Sequence, residues 1–174
     1  MKELKSWILI IVLALLFSFL IRTYIIQPYR VDMTSMVSTL YPNDLVLVDK
    51  LSYRLHQPSR GDVIVFQPPL DTKDKYIKRI IGLPGETIEI KNNTVYINEK
   101  PLNEPYINSP MLGDMQLTEI PDGYIFVMGD NRSVSLDSRS FGSVRISSVV
   151  GKAVVVYWPL NHLETLCAYS GEQP

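Results

Sequence analysis

Apolar residues run almost unbroken over residues 7–21, interrupted only by Ser18, with Lys2 and Lys5 before them and Arg22 behind. Past residue 22 the pattern changes to short apolar runs between Pro and Gly breaks, the signature of strands rather than helices. Strands are predicted over residues 45–48, 63–66, 76–81, 124–128 and 149–158. Residues 87–90 and 94–97 alternate apolar and polar on either side of Lys91-Asn92-Asn93, which predicts a hairpin. Leu83-Pro84-Gly85-Glu86 suits a type II turn, with Pro at its first central position and Gly at its second. Residues 98–121 are polar, Pro-rich and aperiodic, and are expected to form a connecting loop or a small excursion from the sheet. No long helical period occurs beyond the N-terminal run.

That run spans only about 22 Å as a helix, short of a hydrocarbon core of roughly 30 Å. Leu4 and an interfacial belt over residues 24–26 extend it, and snorkelling Lys and Arg stems cover the remainder. A cleavable signal peptide is the rival reading. It calls for small residues at alternating positions near the end of the run, where Phe17-Ser18-Phe19-Leu20-Ile21 offers one. The segment therefore reads as a retained anchor. This divides the chain into a tail and transmembrane anchor over 1–26 and a β-rich domain over 27–174. Flanking charge barely sets an orientation, since Lys2 and Lys5, offset by Glu3, face Arg22 and Arg30.

In 174 residues, 46% of them hydrophobic, there is enough apolar material for one domain with a real core. A net charge of −1 gives no electrostatic basis for binding nucleic acid. Cys167 is the only cysteine, so no internal disulfide is possible, and it reads as a small tail residue. His162 and Glu164 precede it without a metal-ligand pattern, and His56 is distant in sequence. No metal or cofactor is expected.

The candidate chemistry lies in three segments. Val31-Asp32-Met33-Thr34-Ser35-Met36 follows closely on the anchor. Tyr76-Ile77-Lys78-Arg79-Ile80-Ile81 carries a cation inside an apolar run. Residues 129–142 are dense in small, hydroxylated and charged side chains: Gly129, Asp130, Asn131, Arg132, Ser135, Asp137 and Arg139. Strand alternation puts Lys78 on one face with Tyr76 and Ile80, and Arg79 on the other. A serine hydroxyl needs a base within hydrogen-bond reach, and a lysine is a base only when neutral. At an ordinary pKa, about one lysine in 2,500 is neutral at pH 7, and bringing the pKa to about 7 costs roughly 4.6 kcal/mol. Apolar burial supplies shifts of that size, and a free carboxylate nearby opposes them. Asp130 and Asp137 must then be engaged elsewhere, with Arg132 and Arg139 the expected partners. Ser135 is placed to hydrogen-bond the amine without adding charge.

Taken together and in order, these segments resemble the successive sequence boxes of bacterial type I signal peptidases (leader peptidases). The resemblance is carried by Ser35-Met36 with Thr39-Leu40, by Gly61-Asp62-Val63-Ile64-Val65-Phe66, by residues 76–86 and by residues 129–142. It reaches from the anchor to about Gly151 and is closest to the compact, Gram-positive-like form. It implies a mainly β, partly open barrel-like catalytic domain, as in repressor-type Ser/Lys proteases, behind one transmembrane helix. It implies a Ser/Lys dyad endopeptidase that removes signal peptides from exported preproteins. Ser35 would be the nucleophile and Lys78 the general base. Ser135, Asp137 and Arg139, with Asp130 and Arg79, would support the site, and Met33 and Met36 would flank the nucleophile. The implied partners are signal peptides, the phospholipid membrane and the secretion translocon. The implied location is the cytoplasmic membrane, single-pass, with the N-terminus inside and the catalytic domain outside.

Two positions depart from that pattern. Ser38 stands where the family usually has Pro, which would stiffen the turn after the nucleophile. Met33 stands where Gly or Ser is usual, adding bulk and no donor for an oxyanion. These departures motivate a second reading, a degenerate, non-cleaving paralogue that binds signal peptides or assists translocation. A Ser-His-Asp hydrolase would need His56 or His162 as base, and neither sits in a motif.

Overall fold

In the computed structural model, which describes residues 2–107, 109–111 and 113–166, the apolar N-terminal run is one helix, α1 (Lys2–Tyr24). Cys167 lies outside the described residues. The helix includes residues on both sides of the apolar run, so its 23 residues rise about 34 Å, enough to cross a membrane. Its apolar side chains face outward along its length, and none of its candidate span is buried in protein. A helix apolar all round fits a transmembrane anchor.

Twelve strands follow among the described residues. Seven of them make a continuous antiparallel path, which curls into a half-barrel. The path runs from β1 (Ile26–Arg30) through β2 (Leu45–Asp49), β11 (Val149–Trp158), β3 (Val63–Phe66), β4 (Tyr76–Gly82) and β9 (Tyr124–Met128) to β10 (Val144–Arg145). β12 (Glu164–Thr165) pairs with β11. A smaller sheet is ordered β7 (Lys100–Pro101), β6 (Thr94–Ile97), β5 (Thr87–Lys91), β8 (Met115–Glu119). Short helices α2 (Ser52–Leu55) and α3 (Ser138–Phe141) sit in the connections.

The side-chain pattern explains this layout. β3 is buried at all four positions because both of its faces are covered. Val63 and Val65 join Val46, Val48 and Met36 on one side, while Ile64 and Phe66 join Ile80, Ile125 and Val127 on the other. Continuous apolar runs are what a strand covered on both faces requires. β5 and β6 alternate, and send Ile88, Ile90, Val95 and Ile97 into a third cluster with Phe126 and Met128 of β9. Asn92 and Asn93 both take positive φ, as a two-residue hairpin turn with the strand twist demands. At the predicted type II turn Gly85 has φ +77° and the Glu86 N–H donates to the Leu83 carbonyl at 3.2 Å.

The sequence marked neither the short elements β7, β10, β12, α2 and α3 nor two longer strands, β1 and β8. β1 begins where the sequence suggested an interfacial belt; it is an edge strand containing Pro28, and an edge is where a missing N–H is tolerated. β8 lies in the aperiodic 98–121 stretch; four of its five residues are exposed, so no alternation marks it.

Candidate active site

Ser35 sits in the connection between β1 and β2. That connection is cinched at its base, where Val31 N–H donates to the Asp44 carbonyl at 2.9 Å and Asn43 N–H to the Val31 carbonyl at 2.7 Å. Met36 and Leu40 anchor it by inserting into the core, and both are essentially unexposed. Met36 is thus a packing anchor at the floor of the site, whereas Met33 is 57% exposed on its rim.

From the neighbouring wall, Lys78 of β4 reaches Ser35, with its Nζ 2.5 Å from Oγ. Both are buried, at 2% and 7% exposure. Lys78 lies opposite Ile64 in the ladder, on the same strand face as Tyr76 and Ile80. That burial lowers the amine's pKa from 10.5 to about 8; Asp137 and Asp130 pull it upward, and Arg139 helps to lower it. At pH 7 a pKa of about 8 leaves roughly one amine in ten neutral, against about one in 2,500 for an ordinary lysine. An amine so placed can take the proton of the hydroxyl beside it.

Both carboxylates are tied down, one of them by an unexpected partner. Asp137 is held by Arg139 in a two-point pair, with Nε and Nη2 each 2.9 Å from a carboxylate oxygen, and accepts from the Gly129 N–H at 3.0 Å. Burial pushes the Asp137 pKa up, but the hydrogen bond and charge of Arg139 outweigh it and hold the carboxyl below its usual range. Asp130 is taken by Arg79, not Arg132. Arg79 Nε and Nη2 donate at 2.9 and 2.7 Å, and Thr39 Oγ1 donates to the same carboxylate at 2.5 Å. Arg132 instead forms a buried pair with Glu104. The expected Arg132–Asp130 pairing fails because Arg132 Nε turns back to the Gly129 carbonyl at 3.0 Å, leaving its fork directed at the 98–121 excursion.

Ser135 does not hydrogen-bond Lys78. Its Oγ is buried without a well-formed partner among the described residues, although it lies near enough to Asp137 to help hold that carboxyl low. Gly129 sits between the two serines. A Cβ on it would fall 2.3 Å from Ser135 Oγ and 2.4 Å from the Ser35 carbonyl oxygen. The Asn131 N–H donates to that Ser35 carbonyl at 3.0 Å, and its side-chain amide to the Thr34 carbonyl at 3.2 Å. The Ser35 N–H itself has no protein acceptor among the described residues. Ser38, in place of proline, donates from Oγ to the Tyr106 carbonyl at 3.2 Å, and the Tyr106 ring stacks on Arg79 at 4.1 Å.

The pair opens onto a groove of about 530 Å³ between residues 29–36, including the end of β1, and residues 73–78, including the start of β4. β9 pairs with β4 only from Arg79 onward, so among the described residues no strand pairs with that edge of β4 at residues 76–78. His162, one of the rejected bases, is engaged with Asp44 at 2.9 Å. No cluster of His, Cys, Asp and Glu suited to a metal occurs among the described residues.

The chain belongs to the signal peptidase family, peptidase S26, which matches residues 4–158, and with it to the serine peptidases of signal peptidase I type. It is 36% identical over 173 residues to the probable signal peptidase I-1 of Synechocystis sp., covering 95% of this chain and 88% of the relative. It is 41% identical to the signal peptidase I of Bacillus caldolyticus over 155 residues, 81% of this chain and 84% of that one. Staphylococcus aureus signal peptidase IB is 34% identical over 181 aligned residues, 94% of each chain. The crystal structure of a signal peptidase I from Enterococcus faecalis V583 superimposes with a TM-score of 0.52 at 38% identity, covering 57% of this chain and 98% of that one.

Proposed function

We propose that the protein is a membrane-bound serine endopeptidase that removes N-terminal signal peptides from exported preproteins, with Ser35 as nucleophile and Lys78 as general base. The observation that carries this reading is the 2.5 Å contact between a buried amine and a buried hydroxyl at the floor of an open groove. Residues 1–26 are the anchor and 27–174 the catalytic domain, with the N-terminus inside and the catalytic domain on the outer face of the cytoplasmic membrane. The anchor holds the active site beside substrates tethered in the same bilayer.

The substrate lies extended in the groove and pairs through its backbone with the open edge of β4, adding a strand where β9 has left off. Neutral Lys78 accepts the Ser35 proton as Oγ attacks the scissile carbonyl, and the Ser35 N–H faces the oxygen that gains charge. As the tetrahedral species collapses, the C–N bond breaks and the Lys78 ammonium returns its proton to the leaving amine. Water then attacks the acyl-enzyme as Lys78 takes its proton, and Lys78 returns that proton to Ser35 Oγ as the acyl C–Oγ bond breaks. Arg79–Asp130 and Arg139–Asp137 hold the site in shape, and Ser135 supports the amine. Met33 lines the rim with no donor of its own, which leaves the Ser35 N–H as the principal oxyanion donor.

The test is cleavage of a labelled preprotein by the detergent-solubilised protein, with Ser35→Ala as control. A single cut at the end of the signal peptide, lost in Ser35→Ala and in Lys78→Ala, is expected. Appreciable cleavage by purified Lys78→Ala removes the dyad, and signal-peptide binding without turnover favours the non-cleaving reading.

A further inference from the structure

Where α1 meets the β-domain there is a further depression, sharing no lining residue with the groove at the dyad and unused by the mechanism. It is an open depression of about 420 Å³, lined by Phe19, Arg22, Thr23, Gln27 and Lys50. We propose that it binds the phosphate of an anionic glycerophospholipid headgroup between Arg22 and Lys50. The proposal rests on the reading of α1 as a membrane anchor.

Phe19, Arg22 and Thr23 are spaced i, i+3, i+4 and so share one face of the helix. That face places an aromatic ring on the bilayer side and a guanidinium on the water side, one turn apart. Arg22 is the first charge after the apolar run, so it stands at headgroup level when that run fills the hydrocarbon. Its side chain is exposed and makes no hydrogen bond or ion pair among the described residues, leaving a planar five-donor fork that matches phosphate.

A helix C-terminus by itself repels anions, because its last carbonyls carry partial negative charge. Lys50 removes that objection. Its Nζ donates to the Thr23 carbonyl at 2.6 Å and approaches Gln27 Oε1 at 3.4 Å, which sets a positive charge on the helix end. No carboxylate lines the cavity. Asp49, next in sequence to Lys50, is turned onto α2, accepting from the Leu51 and Ser52 N–H groups and the Ser52 hydroxyl. Arg54, 5.9 Å over the Tyr24 ring, adds a third cation to the same junction. Free phosphate shares this chemistry but has no use for Phe19, whereas a lipid lays an acyl chain along it.

The experiment uses the full chain in phosphatidylcholine vesicles with trace spin-labelled lipid, and reads the motionally restricted fraction for labelled phosphatidylglycerol against labelled phosphatidylcholine. The wild type is expected to select phosphatidylglycerol. Arg22→Gln, which breaks no contact in the fold, should lower that selectivity about fivefold, the worth of one cation at an anionic surface. Lys50→Arg should retain it, and Lys100→Gln, an exposed cation elsewhere, should leave it unchanged. Excess inorganic phosphate should not release the lipid.

Equal selectivity in wild type and Arg22→Gln overturns the site. An equal loss in Lys100→Gln does the same by reassigning the effect to diffuse charge, and displacement by inorganic phosphate overturns the lipid as ligand. A protein that does not float with the vesicles overturns the anchor reading and this site together. Flotation without selectivity overturns the site alone.

Discussion

Arg79 and Asp130 meet in a buried two-point ion pair, at 2.9 and 2.7 Å, on the face of β4 opposite Lys78. Neighbouring residues of one strand thus have opposite electrostatic fates: Arg79 is paired and charged, and Lys78 is left without a carboxylate in contact. The same Asp130 carboxylate accepts from Thr39, so the pair also ties the Ser35 loop to the lysine strand.

Asp130→Ala should therefore destabilise the fold as well as abolish turnover. It strands Arg79, 3% exposed, without its counter-charge, a defect worth about 3–5 kcal/mol. Urea unfolding of the solubilised protein reads the loss. Adding Arg79→Met should recover part of that stability without restoring cleavage, since the unpaired charge is gone but the tie to Thr39 is not remade.

The pH profile of kcat/KM should rise as Lys78 loses its proton, with its midpoint near pH 8 and its plateau above that. The sign follows from which form is active: only the neutral amine accepts the Ser35 proton, so activity falls as pH drops through about 8. Stability runs the same way. Burial penalises the ammonium, so the folded state carries that cost in full below about pH 8 and sheds it as pH rises towards 10.5. Lys78→Met should then be inactive yet more stable at pH 7, on the order of 1–3 kcal/mol, as read by denaturant midpoint. A profile already flat from pH 6 contradicts this assignment.

Gly129→Ala tests how tightly the site is assembled. The added methyl meets the Ser35 carbonyl oxygen at 2.4 Å and must push the nucleophile loop or Ser135 aside. A displacement of about 1 Å at reacting groups costs on the order of 10² in rate. The loss should appear in kcat more than in KM, because the open edge of β4 is untouched.

Ser135→Ala should separate stability from turnover. The Ser135 hydroxyl is buried with no well-formed hydrogen bond, so its removal breaks no clear native contact and relieves a group whose desolvation costs about 1–3 kcal/mol. The variant should be as stable as wild type or more so. Cleavage should nevertheless slow under the proposed role of Ser135 as a support for the amine. An unchanged kcat would leave Ser135 with a packing role only.

Much of the framework was legible along the chain because it rests on local periodicity. The strands at 63–66 and 124–128, the hairpin across Asn92-Asn93 and the turn at Pro84-Gly85 follow from alternation and backbone preference within a few residues. Lys78 and Ser35 stood out as residue types set in those frames. β1 and β8 did not, since an edge strand with a proline and a strand exposed at four of five positions have little apolar pattern to display. Nor did Glu104 as the partner of Arg132, 28 residues away in sequence, or the reason for a glycine at 129.

The sequence alone determined the apolar helix, the β character of the rest, and the candidate hydroxyl and amine, because each is a property of a short segment. Only the tertiary structure decided that Asp130 goes to Arg79, that Ser135 stays without a bond to the amine, and that the Lys78 pKa comes to rest near 8. Desolvation and charge pairing are sums over neighbours brought together from distant parts of the chain, and no local window contains them.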